Sequence, residues 1–148
     1  MTARRLGPGD EAILGVLALE DADFDIGGRG GPRPALGPET ARRYLANPAV
    51  LFWVAFEGAE VAGFLSCLHV PLRSDEGYEV LLYEIGVRAE RRREGVGRAL
   101  LGELETWMAA NGVSVAWVLA DNPEAVEFYR ACGFEAERYQ PVYMMRSR

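Results

Sequence analysis

Apolar residues follow two rhythms along this 148-residue chain, a helical period near the start and after residue 95, and strand-like runs between residues 50 and 87. Asp10 reads as an N-cap, and Ile13, Leu14, Leu17 and Ala18 continue a helical spacing to about Leu19. The next stretch, DADFDIGGRGGPRPALGPET over residues 21–40, concentrates glycine, proline and aspartate and predicts a mobile loop for most of its length. Pro38 to Asn47 predicts a short helix. Strands are expected at Val50–Glu57, Val61–Val70 and Tyr78–Val87, separated by a turn at Gly58-Ala59 and a loop at Pro71–Gly77, which together make an antiparallel meander. A helix from about Gly95 to Asn111 carries Val96, Leu100, Leu104 and Met108 on one stripe. Val113 to Ala120 is nearly continuous in apolar residues and predicts a buried strand covered on both faces. Asn122 to Ala131 reads as a helix stopped by Gly133, and Phe134–Tyr139 and Val142–Arg146 read as the last strands. The pattern predicts an α/β fold, a mixed and largely antiparallel sheet with helices on both faces.

The length suits one domain over residues 1–148, and 49% hydrophobic content with three tryptophans can fill one core. No run approaches the roughly 20 apolar residues needed to span a bilayer, and MTARRLGPGDEA lacks a signal-peptide core, so no membrane association and a cytoplasmic location are expected. Cys67 and Cys132 are too few for a disulfide framework and too far apart for a metal motif, and with His69 as the single histidine no metal is expected. His69 itself reads as a strand-end or loop residue that could face a substrate cleft. A net charge of −6 argues against nucleic acid as a partner and would favour cationic substrates.

Candidate chemistry concentrates in Leu81 to Leu101, LLYEIGVRAERRREGVGRALL. An apolar strand runs into a turn bearing Gly95 and Gly97, and a helix begins there. Such a turn can bring backbone close to a ligand, while the unpaired N–H groups and dipole of the first helical turn favour negative charge. All sixteen basic residues are arginine, so a Walker-type loop and Schiff-base chemistry, which need a lysine, are excluded. Leu100 stands where a dinucleotide fingerprint needs its third glycine.

Arg92-x-x-Gly95-x-Gly97, followed by Asn122…Ala125…Phe128-Tyr129…Gly133-Phe134, resembles the Gcn5-related N-acetyltransferase (GNAT) family over roughly residues 80 to 135. The resemblance implies acetyl-CoA as cosubstrate, its pyrophosphate on Arg92, Arg93, Glu94, Gly95, Val96, Gly97 and Arg98. It implies a strand pair that splays around pantetheine, with backbone groups of Ile85, Gly86 and Val87 lining the gap. Asn122 matches a helix-start residue that contacts CoA, and it reads equally well as an N-cap before Pro123. Tyr129 matches the position whose hydroxyl serves as acid for the leaving thiolate; a phenol, with a reference pKa of about 10, keeps its proton at neutral pH.

An attacking amine must also lose a proton, to a side chain or a water chain. Glu84 and Glu79 are the candidate bases, with Glu84 favoured because a carboxylate embedded in LLYEIGV is out of pattern. Strand alternation puts residues 79 and 84 on opposite faces unless a bulge intervenes. The same segments are similar to the aminoglycoside 3-N-acetyltransferase branch, where an acidic residue occupies the place of Glu84 after an aromatic at Tyr83, which implies a small cationic amine as acceptor; Asp25 and Glu79 are further candidate contacts in an anionic pocket for it. Asp21, Asp23, Asp75 and Glu76 could add to an anionic pocket. A peptide or protein amine as acceptor, and a non-catalytic acetyl-CoA sensor, stay open. So does a homodimer through the final strands, where Tyr139, Val142, Tyr143, Met144 and Met145 suit either an interface or core.

Overall fold

The computed structural model describes residues 1–24, 33–74 and 76–148. Its elements run β1 (Thr2–Arg5), α1 (Glu11–Leu19), α2 (Asp21–Phe24), α3 (Pro38–Ala46), β2 (Val50–Glu57), β3 (Glu60–Pro71), β4 (Tyr78–Val87), a 3-10 turn (Ala89–Arg91), α4 (Val96–Ala110), β5 (Ala116–Val118) and α5 (Pro123–Ala131). The five strands lie side by side in chain order. The first four pair antiparallel, and β5 returns parallel to β4.

Both faces of the sheet are covered along β2 and β3, which is why β2 can read VLFWVAFE without a polar alternation. Leu51, Trp53 and Ala55 face one core, with Val96, Leu100, Leu101 and Leu104 of α4 and Tyr129 of α5. Val50, Phe52 and Val54 face the other, with Leu17 of α1 and Leu45 of α3. Phe52 stacks on Phe64 at 5.8 Å, and Tyr44 and Phe24 meet these rings edge-on. Such aromatic pairs each add about 0.5–1.5 kcal/mol beyond the area they bury. Gly63 sets how closely α4 approaches the sheet: a Cβ there would lie 2.8 Å from Val96 Cγ1 and 2.8 Å from the Gly86 carbonyl oxygen.

The structure departs from the sequence reading in four places. β1 has no apolar rhythm, and it is held instead by its ladder to β2 and by Arg4, which pairs with Asp10 at 2.7 Å and lies over the Phe56 ring. A short helix, α2, opens the stretch read as mostly loop, whose residues 25–32 lie outside the described residues. β5 is three residues long, and Val115, Trp117 and Leu119 are exposed, so the run predicted to be covered on both faces is covered on one. The two closing strands are absent: residues 134–148 form no helix or strand, and Tyr139, Val142, Tyr143, Met144 and Met145 are each more than 70% exposed. A strand exists only through its ladder, and apolar composition does not supply the partner.

His69 is also repositioned. It lies on the α4 face of β3, stacked on Tyr78 at 4.0 Å and edge-on to Trp107 at 5.2 Å, not toward a substrate cleft. Its Nε2 is buried without a hydrogen-bond partner among the described residues. Burial, then the charge of Arg5, holds its pKa below the ordinary 6.5.

Gly63→Ala should destabilise the fold by about 1–3 kcal/mol, because one of the two atoms in the way is backbone and cannot rotate aside; denaturant titration reads this directly, and an unchanged midpoint would mean that the α4 contact adjusts freely. His69 and Asp10, whose carboxyl is held low chiefly by its hydrogen bond to Arg4, both have depressed folded pKa values. The unfolded chain therefore binds more protons, and stability falls as pH drops, the His69 part being lost below its ordinary 6.5. The thermal midpoint should fall between about pH 7.5 and about pH 5.5, and His69→Phe should flatten that fall.

Candidate active site

The site begins at a fork in the sheet. β4 and β5 pair only over Val80–Leu82 and Ala116–Val118, whereas β4 continues to Val87 beside β3. The Arg88 amide donates to the Ala62 carbonyl on β3. Alternation then turns the backbone polar groups of Val87 and Ile85 away from β3, into the gap beyond β5. The Val87 carbonyl on that side accepts a hydrogen bond from Arg92 Nε at 3.2 Å.

A turn closes the wide end of the fork. Arg93 and Gly95 both adopt left-handed conformations, with φ of 70° and 86°, and Gly95 is the N-cap of the 15-residue α4. An arginine in that region is uncommon and marks a conformation imposed by its surroundings. Among the described residues no side chain caps α4, so the first-turn N–H groups of Val96, Gly97 and Arg98 suit an anion. Glu94 is not available in the same way, because Arg91 pairs with it and with Glu60, each at 3.8 Å. Gly97 acts by packing: a Cβ there would lie 2.9 Å from the Phe128 ring, so its absence lets α5 sit against the first turn of α4.

That contact fixes α5 beside the fork. Asn122 caps α5, accepting the Ala125 amide at 2.8 Å, while its side-chain nitrogen donates to Asp121. The cap is worth about 1 kcal/mol. Tyr129 is 6% exposed between Phe128 and Phe134. Burial, with smaller effects from Cys67, Cys132 and Asp121, pushes its phenol up to about 12, so it keeps its proton at neutral pH. Cys67 is fully buried, and the same cause raises its thiol to about 12, which makes it unreactive.

A bulge decides the position of the carboxylates. Ser66 pairs with Glu84 and Cys67 with Leu82, so Tyr83 is an extra residue in β4. The extra residue brings Glu79, Leu81, Glu84 and Gly86 onto one face, the face of α1 and α3. Glu84 lines a cavity of about 220 Å³ with Leu17, Asp21, Arg33, Phe64 and Ser66. Glu79 stands further down the strand and does not line it. Tyr83 lies at the rim, 70% exposed. Arg33 bridges the two cavity carboxylates, its Nε 3.1 Å from Asp21 and a terminal nitrogen 3.9 Å from Glu84, and its amide donates to the Ala18 carbonyl. Asp25 and Asp75 lie outside the described residues, and Asp23 points away from the cavity to Arg88.

Arg33 and Ser66 are the cavity residues that the sequence does not flag, one in a glycine- and proline-rich stretch and the other inside an apolar strand. A separate cavity of about 300 Å³ opens between α1 and the β2–β3 turn. Its carboxylates, Glu20 and Glu60, are both engaged by Arg88.

The fold is shared with known enzymes. An aminoglycoside acetyltransferase from an uncultured soil metagenomic sample has TM-score 0.82 at 24% identity, covering 98% of each chain. The ribosomal-protein-alanine N-acetyltransferase of Brucella melitensis biovar Abortus 2308 has TM-score 0.75 at 16% identity, covering 99% of each. At these identities the likeness shows the fold and does not select a branch. In sequence, an uncharacterized N-acetyltransferase, YuaI, of Bacillus subtilis (strain 168) is 41% identical over 78 residues, which are 51% of this chain and 43% of that protein. The chain spans less than half the length of the curated relatives it matches. The sequence pattern of the acetyltransferase (GNAT) family matches residues 16–134, from α1 through α5 to Phe134. The chain belongs to that family.

Proposed function

We propose that the chain transfers an acetyl group from acetyl-CoA to a primary amine of a small, cationic molecule. The observation that carries this reading is Glu84, turned by the β4 bulge into a cavity of about 220 Å³ next to the fork. Acetyl-CoA would supply an activated thioester. The residues fit such a ligand: uncapped N–H groups of Val96, Gly97 and Arg98 and the side chains of Arg92 and Arg93 suit a diphosphate, and the edge of β4 at Ile85 to Val87, which pairs with no strand on the fork side and has its Val87 carbonyl held by Arg92, suits the amides of an extended arm.

The acceptor would enter from the α1 side. Glu84 would take the ammonium proton, directly or through one water, leaving the neutral amine that can attack. Tyr129, protonated well above neutral pH, would hold a proton for the departing sulfur. Asp21, together with Glu84, would hold the positive charge of the acceptor in the place that the Arg33 guanidinium takes between them. Aminoglycosides and polyamines carry several such charges, which is the support for that substrate class.

CoA-thiol release should be measured with kanamycin, spermidine, amino acids and short peptides, beside an amine-free control. Release driven by kanamycin or spermidine supports the reading. Release with peptides alone would move it to a peptide amine, and tight acetyl-CoA binding without release to a sensor. In the active series, Glu84→Gln should lower kcat/KM about 10²-fold or more, and Tyr129→Phe should lower kcat about tenfold, with acetyl-CoA affinity nearly unchanged in both; normal turnover removes the residue concerned from its role. Arg33→Gln should lower the KM for spermidine about threefold, since the variant no longer competes for Asp21 and Glu84. A raised KM would instead make Arg33 a contact of the acceptor.

A further inference from the structure

Three carboxylates converge on one buried guanidinium at the end of β4. The Arg88 side chain is 8% exposed, with Nη2 2.5 Å from Glu20, Nη1 3.3 Å from Asp23 and Nε 3.7 Å from Glu60. Its Nε also donates to the Val61 carbonyl at 3.0 Å, and its central carbon lies 4.9 Å from the Phe24 ring centre. Arg88 follows the strand directly and precedes the Arg92–Gly97 turn, yet its side chain lies on the other side of the sheet, with α1 and α2.

The partners of Arg88 bracket one residue of the cavity. Glu20 and Asp23 flank Asp21, the carboxylate that lines the cavity and holds Arg33. All of them belong to or adjoin α2, which at four residues is too short to persist without tertiary contacts. Phe24, at its end, is 4% exposed, edge-on to Phe64 and packed over Gly86. The guanidinium and Phe24 therefore hold α2 against β4 with a charged and an apolar contact side by side.

We propose that Arg88 is a positioning residue for the acceptor: by clamping Glu20 and Asp23 it fixes α2, and with it Asp21, over the cavity. The proposal rests on the reading that this cavity receives the amine. The donor side is linked to the clamp only through Glu60, which Arg91 also holds at 3.8 Å; the Arg88 amide is held by the Ala62 carbonyl whatever the side chain, and α5 packs against the first turn of α4 through Gly97. Without the guanidinium, Glu20 and Asp23 would lose this counter-charge and face each other beside Glu60, which Arg91 still holds, and their repulsion would drive α2 off the sheet. Lysine cannot replace it, since one ammonium lacks the planar fork that reaches three carboxylates and a carbonyl together.

The test compares Arg88→Met, Arg88→Lys and the milder Glu20→Gln with the unmodified chain, using spermidine or kanamycin as acceptor, acetyl-CoA titration without acceptor, and amide hydrogen exchange. Arg88→Met should raise the acceptor KM roughly tenfold and speed exchange at residues 20–24, with acetyl-CoA affinity and exchange in the first turn of α4 changed less than about twofold. Arg88→Lys should fall between, and Glu20→Gln, which removes one exposed partner and no buried group, should raise the acceptor KM about threefold without unfolding. Adding Glu20→Gln to Arg88→Met should recover part of the lost affinity by removing one of the opposed charges, which a merely structural lesion would not do. Parallel loss of acceptor and acetyl-CoA affinity, or unchanged exchange at residues 20–24, overturns the positioning role. Absence of thiol release from the unmodified chain with every amine overturns the acceptor reading itself, and the proposal with it.

Discussion

One inserted residue governs which groups β4 turns toward each side of the sheet. Without Tyr83 as a bulge, β4 would alternate regularly, and the residues beyond it would exchange faces. Glu84 would face α4 and the apolar core, where a carboxylate is costly to bury, and Ile85 would face the cavity. The bulge also sets the hydrogen-bonding phase of the strand end, so that the polar groups of Ile85 and Val87 point into the fork while Arg88 remains on the ladder to β3. The side chains that face the cavity and the backbone groups that face the fork are thus both set by a single register shift.

The second constraint is the seating of α4. Its first turn can serve an anion only if it is close to the end of β4, and two missing side chains allow that approach. Gly63 lets Val96 settle on the sheet, and Gly97 lets Phe128 settle on α4. The left-handed Arg93 and Gly95 then turn the chain into the helix without a capping side chain. Packing below and an uncapped end above are two results of the same close approach.

Much of this was legible in the sequence, for reasons that differ by element. β2, β3, β4, α4 and α5 carry strong apolar patterns with glycine and proline punctuation, and each was placed to within a few residues. The turn at Arg92 to Gly97 was readable from the spacing of Arg92, Gly95 and Gly97, although only Gly95 is demanded by a left-handed backbone and Gly97 answers to the packing of Phe128. Whether Glu84 and Glu79 share a face was not readable, since a bulge leaves no mark in composition. Nor was Arg33, whose part depends on a partner twelve residues away and another fifty-one away, or Arg88, which reads as an ordinary charge at a strand end until three carboxylates close around it. The final segment failed for the opposite reason: its composition favours strand, but a ladder partner is a tertiary fact.

The Arg33 bridge changes how the acidity of this protein bears on its cavity. A pocket of bare carboxylates would draw in cations by neutralisation, and added salt would weaken that attraction steeply. Here the chain already provides a counter-cation at 3.1 Å from Asp21. On the proposed function, an ammonium that took its place would swap one positive charge for another, and the cavity would behave as an ion exchanger: its selectivity would rest on the shape and number of charges that an amine could set against one guanidinium, and only weakly on the net charge of −6 around it.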